Sequence, residues 1–309
     1  MNIKKHPAFR LLRPSDLFLP MVFLAACLIG RSAAALGLFV TWYAAKLCAL
    51  ATSDGLRATF ATQPSMKYVQ GSALVSLGCQ FPGAALSALI IYLIPGMRLL
   101  LSLVPCGLFL NIEHVFYEYL YAVGEKKSAT ACRCLTAVLV LLGLILCMPP
   151  QPNLTPLSAL NPFCLLITCG LSALIGLFIS FSLGGKFHPV PNPEVLRRAP
   201  LSMLHTGLYP AFALPALTLL WPGRFTPMPL FAGLLLYEAC RTPFRRSPLE
   251  SRPMNQLLLV VSAVALLGLI VFQFLLKTPI SEPIAMICAA LLISAMCTFG
   301  LYGSLTRWE

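Results

Sequence analysis

An all-α, polytopic membrane protein with about ten transmembrane helices in two unequal lobes is the fold class this sequence predicts, on three observations. With 58% hydrophobic and 10% charged residues and a mean hydropathy of +0.84 over 309 residues, it has more apolar surface than a soluble core of that size can hide. Pro, Gly and charged residues cut the chain into runs close to the roughly 20 apolar residues that cross a bilayer. The basic residues collect in every second gap between those runs.

The predicted spans are 16–30, 33–52, 71–94, 98–123, 129–149, 158–184, 200–221, 227–243, 255–276 and 283–304. The first and eighth are short, as half of a bent hairpin would be. With the amino terminus inside, the inner segments hold Lys4, Lys5, Arg10 and Arg13, then Arg57 and Lys67, then Lys126, Lys127 and Arg133. They continue with Lys186, Arg197 and Arg198, then Arg241, Arg245, Arg246 and Arg252, and end with Arg307. The outer turns hold only Arg31, Arg98, Arg224 and Lys277, with Lys46 inside a helix. Because cytoplasmic loops are enriched in Lys and Arg, this asymmetry predicts a multi-pass protein of the cell membrane, inner or plasma, with both termini cytoplasmic. Two inner loops, 53–70 and 185–199, mix polar, basic and apolar residues and are expected to lie along the interface as short amphipathic pieces.

Other classes fit poorly. The net charge of +12 is scattered between apolar runs rather than gathered on a solvated face, which argues against nucleic acid and for anionic lipid. The 12 Cys form no CxxC and no Cys/His zinc spacing, so no metal and no disulfide framework is expected. Asn153-Leu154-Thr155 is formally a glycosylation sequon, which has meaning only in a eukaryotic secretory setting. The basic amino terminus followed by LFLPMVFLAAC resembles a signal peptide with a lipoprotein box, but membrane-grade sequence continues past Cys27. The first helix is therefore expected to stay as structure.

Four pairs of segments recur in order. LRPSDLFLP (12–20) matches LRRAPLSML (196–204), and FVTWYAAK (39–46) matches FAGLLLYE (231–238). QPSMKYVQG (63–71) matches SRPMNQLLL (251–259), and YLYAVGEKKS (119–128) matches FGLYGSLTRW (299–308). Their shared order and membrane direction predict a duplicated unit related by an axis along the membrane normal. The domains are then 1–199, a six-helix lobe with its cytoplasmic linker at 185–199, and 200–309, a shortened four-helix lobe.

The helix exit YLYAVGEKKSA, the segment ALGLFVTWYAAKLCALATSDGLRATFA and the stretch NPEVLRRAPLSMLHTGLYPAFALPAL together resemble the MOP flippase superfamily. The likeness is to its progressive-ankylosis and lipid-linked oligosaccharide branches. It implies two parallel six-helix lobes joined by a cytoplasmic loop, and a flippase or exporter that moves its substrate by alternating access. This chain departs from the pattern by ending about two helices short of the family's twelve.

The candidate site lies on the fourth predicted helix, where Asn111, His114, Glu118 and Tyr121 recur every three or four residues and so share one stripe. Glu113 is a deeper neighbour. A carboxylate in the bilayer costs about 2.5–3.5 kcal/mol on insertion scales, so it should face a partner helix or a watery cavity. The functional reading is that the stripe binds a proton, a cation or a polar headgroup. The structural one is an interhelical hydrogen bond, or, for Glu118 near the inner end, snorkelling. Lys46 and Glu238 sit at matching places in the repeat and are candidates for an inner gate. Their alternatives are lipid phosphate for Lys46 and Arg241 for Glu238. Arg31 is an outer-face candidate for an anionic headgroup, and His205 reads as an interhelical donor.

Enzymatic motifs are lacking: there is no GxSxG, HExxH or phosphate-binding loop, and Asp16 and Asp54 are the only aspartates. The predicted function is a transporter of an anionic or lipid-linked substrate, coupled to a proton or sodium and using no other cofactor. Membrane lipids are the expected partners. The alternatives are a membrane transferase with His114 and Glu118 as acid and base, and a non-transporting subunit or homodimer that completes the missing helices.

Overall fold

The computed structural model describes residues 13–45, 53–93, 98–147, 161–183 and 188–202, with helical positions at 231 and 235. These residues are all-helical, with no strand among them. After a 3-10 turn at Pro14–Leu17, the helices are α1 (Phe18–Leu28), α2 (Ser32–Ala44), α3 (Ser53–Thr62) and α4 (Met66–Leu93). A second 3-10 turn, Arg98–Leu103, leads into α5 (Val104–Ala122), followed by α6 (Lys126–Leu146), α7 (Pro162–Leu183) and α8 (Pro193–Ser202). Four stretches are long and apolar enough to cross a membrane: Met66–Leu93, Arg98–Ala122, Lys126–Leu146 and Pro162–Leu183. The apolar helices Pro14–Leu28 and Ser32–Tyr43 are shorter. The spans predicted after residue 202 lie outside the described residues, except that 231 and 235 are helical within the predicted run 227–243.

Helix ends follow local chemistry. At the end of α1 the Arg31 N–H donates to Ala26 O and the Gly30 N–H to Cys27 O, with Gly30 at φ 77°. That is a Schellman cap, which needs a residue free to adopt positive φ. The end of α5 repeats it: Glu125 N–H donates to Leu120 O, Gly124 N–H to Tyr121 O, and Gly124 has φ 95°. Both caps turn the chain back at once, making α1–α2 and α5–α6 tight antiparallel hairpins. The region predicted as one helix over 98–123 begins as 3-10 and becomes α only at Val104, because Pro105 lacks an N–H and fits the first turn. Pro82, by contrast, lies inside α4, where a transmembrane helix tolerates it.

α5 is the axis of the bundle. It packs against α2, α3, α4, α6 and α7, and is the most buried of the four long spans. The outward faces carry apolar stripes, Leu135, Val138, Leu142 and Ile145 on α6 and Phe163, Ile167, Leu171, Leu174 and Phe178 on α7. Large exposed apolar side chains at helical spacing suit a lipid surround and not water.

The segments predicted as inner loops meet at one end. Val190 N–H donates to Lys67 O at 3.0 Å, His188 N–H to Gln70 Oε1 at 3.0 Å, and Asn192 Nδ2 to Gln63 Oε1 at 3.1 Å. The opposite end joins Asn161 N–H to Cys147 O at 2.8 Å. The two predicted interfacial loops are helical in part. α3 buries Leu56 and Phe60 against Val115 and Tyr119 of α5. α8 starts at Pro193 behind an Asn192 cap, whose Oδ1 accepts the Glu194 N–H, and so crosses the linker boundary predicted at 199.

A close backbone approach between two helices occurs at Gly107. A Cβ there would lie 2.7–2.8 Å from the backbone of Thr41 and Trp42 in α2, whereas one at Gly78 would meet nothing within 4 Å. Gly107→Val is therefore expected to destabilise by about 1–3 kcal/mol through forced separation of α2 and α5. Gly78→Val is expected to leave stability unchanged. Equal thermal unfolding of the two variants in detergent would show that α2 and α5 do not meet there.

Candidate functional site

α5 presents its charges inward because it is surrounded, and the charges find partners on three other segments. Glu118, 1% exposed, accepts from Arg13 Nη1 at 2.6 Å and from Arg57 at 2.7–3.0 Å through Nε and Nη2. Arg57 reaches back with Nη2 to both oxygens of Asp16, at 2.9 and 3.0 Å. Tyr117 Oη donates to Asp16 Oδ1 at 2.8 Å, and Ser15 Oγ lies 2.7 Å from Tyr117 Oη. Tyr121 completes this end. Its hydroxyl meets Thr130 Oγ1 at 3.1 Å and Ser15 Oγ at 3.3 Å, while its ring carries the Arg13 guanidinium 3.8 Å from the centroid.

One turn deeper, Arg133 of α6 pairs with Glu113 through Nη1 and Oε2, both side chains being buried. The guanidinium also lies 5.0 Å from the Tyr117 ring centroid. Glu113 Oε1 has no hydrogen-bond partner among the described residues. His114 is 2% exposed and its ring stacks on Tyr117 at 6.1 Å. Asn111 turns the other way, donating from Nδ2 to the Trp42 carbonyl of α2 at 3.1 Å, and its Oδ1 has no partner among the described residues.

Arg13, Arg57 and Arg133 thus balance Asp16, Glu113 and Glu118, and the cluster is formally neutral. Neutrality decides whether such a cluster can exist. An unpaired charge in low dielectric costs several kcal/mol, whereas a close ion pair offsets much of its own desolvation. Neither carboxylate of α5 snorkels to the surface.

Compared with family models, with curated proteins and with solved structures, the chain matches none. The geometry of this cluster therefore carries the functional argument.

Three of its members are among the cations that the sequence places in inner segments. Arg13, Arg57 and Arg133 all turn into the bundle, with side chains 7%, 11% and 4% exposed. Asp16 stands out in the sequence only as one of two aspartates. A signal for one pair did exist: in a hairpin turning at Gly124, Glu113 and Arg133 stand at similar distances from the turn and so at similar depth.

Sequence reasoning also passed over a polar ridge on α4. Ser72, Ser76, Gln80 and Ser87 are all buried, at spacings of four, four and seven. Ser76 Oγ donates to Ser72 O at 2.8 Å and Gln80 Nε2 to Ser76 O at 2.8 Å. Small polar residues on one helical face are what close helix packing in lipid selects. Arg31, predicted at the outer surface, caps the α1–α2 turn and is 7% exposed, with Nε and Nη1 lacking hydrogen-bond partners among the described residues. Lys46, Glu238 and His205 lie outside the described residues. Among the described residues no group of three or more His, Cys, Asp or Glu could hold a metal ion.

Proposed function

We propose that this protein is a membrane transporter of the flippase or exporter type, in which the first six-helix unit moves as one rigid lobe. The observation that carries this reading is the neutral cluster at one end of that unit. It ties Arg13–Asp16, Arg57 on α3, Glu113 and Glu118 on α5, and Arg133 on α6 into a single body. Alternating access needs lobes stiff within themselves and weakly joined to each other. The described residue of the second half that touches this unit makes an apolar contact. Among the described residues, Phe231 stacks on Phe23 at 5.2 Å and meets Phe39 edge-on at 5.3 Å.

On this reading Glu113 and Glu118 hold the lobe. An anionic or lipid-linked amphiphile remains the proposed cargo, with ten crossings and both termini cytoplasmic. The transferase alternative loses support, because both oxygens of Glu118 accept from guanidiniums and a general base needs a free lone pair.

Vesicles reconstituted with the protein and a headgroup-labelled anionic phospholipid test the proposal. Dithionite added outside should quench the inner-leaflet pool faster than in protein-free vesicles. An inner pool equally protected in both would defeat the flippase reading.

A further inference from the structure

We infer that the cleft between α4, α5 and α7 is a binding site for a membrane glycerolipid, recognised through an ester carbonyl. This inference is independent of transport. The cleft is walled by Ala73, Leu74 and Leu77 of α4, Phe116 of α5, and Leu177 and Phe181 of α7. Leu74 and Phe181, 44% and 51% exposed, form its outer lips on the apolar flank of the bundle. Its polar groups are Gln70, Tyr119 and Ser180, and none of its lining residues is charged.

Two of those polar groups point to a ligand. Tyr119 is 3% exposed and Ser180 is 5% exposed; Ser180 Oγ has no hydrogen-bond partner among the described residues, and the Tyr119 hydroxyl has only the Gln70 amide beside it, a donor to the phenol oxygen that leaves the phenol hydrogen without an acceptor. Gln70 Oε1 already accepts the His188 N–H at 3.0 Å. A buried hydroxyl left without an acceptor costs about 1–3 kcal/mol, so two facing one apolar cleft are an unmet demand for an acceptor.

Charge and depth select the acceptor. With no cation in the lining, a phosphate has nothing to pair with inside the cleft, whereas a neutral carbonyl accepts from a hydroxyl without carrying charge into an apolar site. Tyr119 and Ser180 each lie three residues before the ends of α5 and α7, and Gln70 lies four after the start of α4. That is about one helical turn, roughly 5 Å, inside the end of the hydrophobic spans. The interfacial layers add about 5–7 Å to each side of the hydrocarbon core. The glycerol esters of a membrane lipid lie at their inner boundary, with the acyl chain continuing into the core between Leu74 and Phe181.

The test compares diacyl phosphatidylglycerol with its diether analogue, which keeps the headgroup and chains but lacks the carbonyls. Full-length protein is equilibrated in detergent with each lipid in turn, and the retained lipid is counted by native mass spectrometry. The wild type is expected to retain the diester at least threefold more than the diether. Tyr119→Phe/Ser180→Ala should remove that preference, and Leu177→Trp should reduce retention of both lipids by filling the cleft. Equal retention of diester and diether by the wild type would overturn the proposal, and needs no variant to fold. So would an undiminished diester preference in Tyr119→Phe/Ser180→Ala. Failure of the vesicle assay for lipid movement leaves this result untouched, and the reverse also holds.

Discussion

Arg133→Met is expected to destabilise the protein by about 3–5 kcal/mol, one of the two largest single-residue effects in the bundle. Arg133 and Glu113 are paired in a site closed to solvent, their side chains 4% and 0% exposed, so removing the guanidinium strands a carboxylate where water cannot reach it. The cost is that of an uncompensated charge and not the value of the ion pair. Glu113→Leu should be comparably harmful, because it strands the guanidinium instead, although the Tyr117 ring 5.0 Å away retains part of the cation's environment. The pair is separable from its parts by a cycle. Glu113→Leu/Arg133→Met removes both charges, and a buried ion pair replaced by apolar side chains is commonly neutral or more stable. Equilibrium unfolding in mixed micelles should therefore place the double variant within about 1 kcal/mol of wild type. Simple additivity of the two single losses would mean that the two side chains do not interact.

How much of this was legible in the sequence depended on sequence distance. Apolar runs and their punctuation located α1, α2 and α4 to α7, because lipid imposes length and composition on each helix separately. The start of α4 was misplaced from Met66 to residue 71: MKYVQ is too polar for a hydropathy window, yet the backbone continues its ladder through it, with Tyr68 and Val69 N–H groups bonding Ser65 O. The exit YLYAVGEKK has a local explanation, since Gly124 at positive φ closes a Schellman cap. Any helix turning sharply into the next favours Gly there, which weakens that motif as a mark of family. The stripe on α5 was legible as a stripe, because a helix fixes which residues share a face. Its partners were not. Arg13 lies 105 residues from Glu118 and Arg57 lies 61 away, so only the threading of the bundle joins them. Positive residues near an inner end satisfy a topology count whether they face lipid, water or a buried carboxylate, and the count cannot tell these apart.

Glu118→Ala is the second large effect, again about 3–5 kcal/mol, and its distribution along the chain is the informative part. Arg57 keeps Asp16 at 2.9 Å when Glu118 is gone, but Arg13 loses its carboxylate among the described residues and keeps only the face of Tyr121. The damage should therefore concentrate in the segment Arg13–Leu17, which leads α1 into the bundle. Amide hydrogen exchange should rise over Pro14–Leu17 and the first turn of α1 while α6 and α7 keep their protection, because a low-stability unit opens before the whole. Glu118→Gln should fall between wild type and Ala. Its amide oxygen still accepts from one guanidinium, while its NH₂ is turned against the other's donors. Arg13→Gln in the same chain replaces a stranded guanidinium with an amide and should return part of the loss. If exchange in Pro14–Leu17 is the same in Glu118→Ala as in wild type, the cluster does not hold that segment, and the rigid-lobe reading fails with it. If exchange rises only there and movement of the labelled lipid slows in step, the stiffness of the lobe and its function are one property.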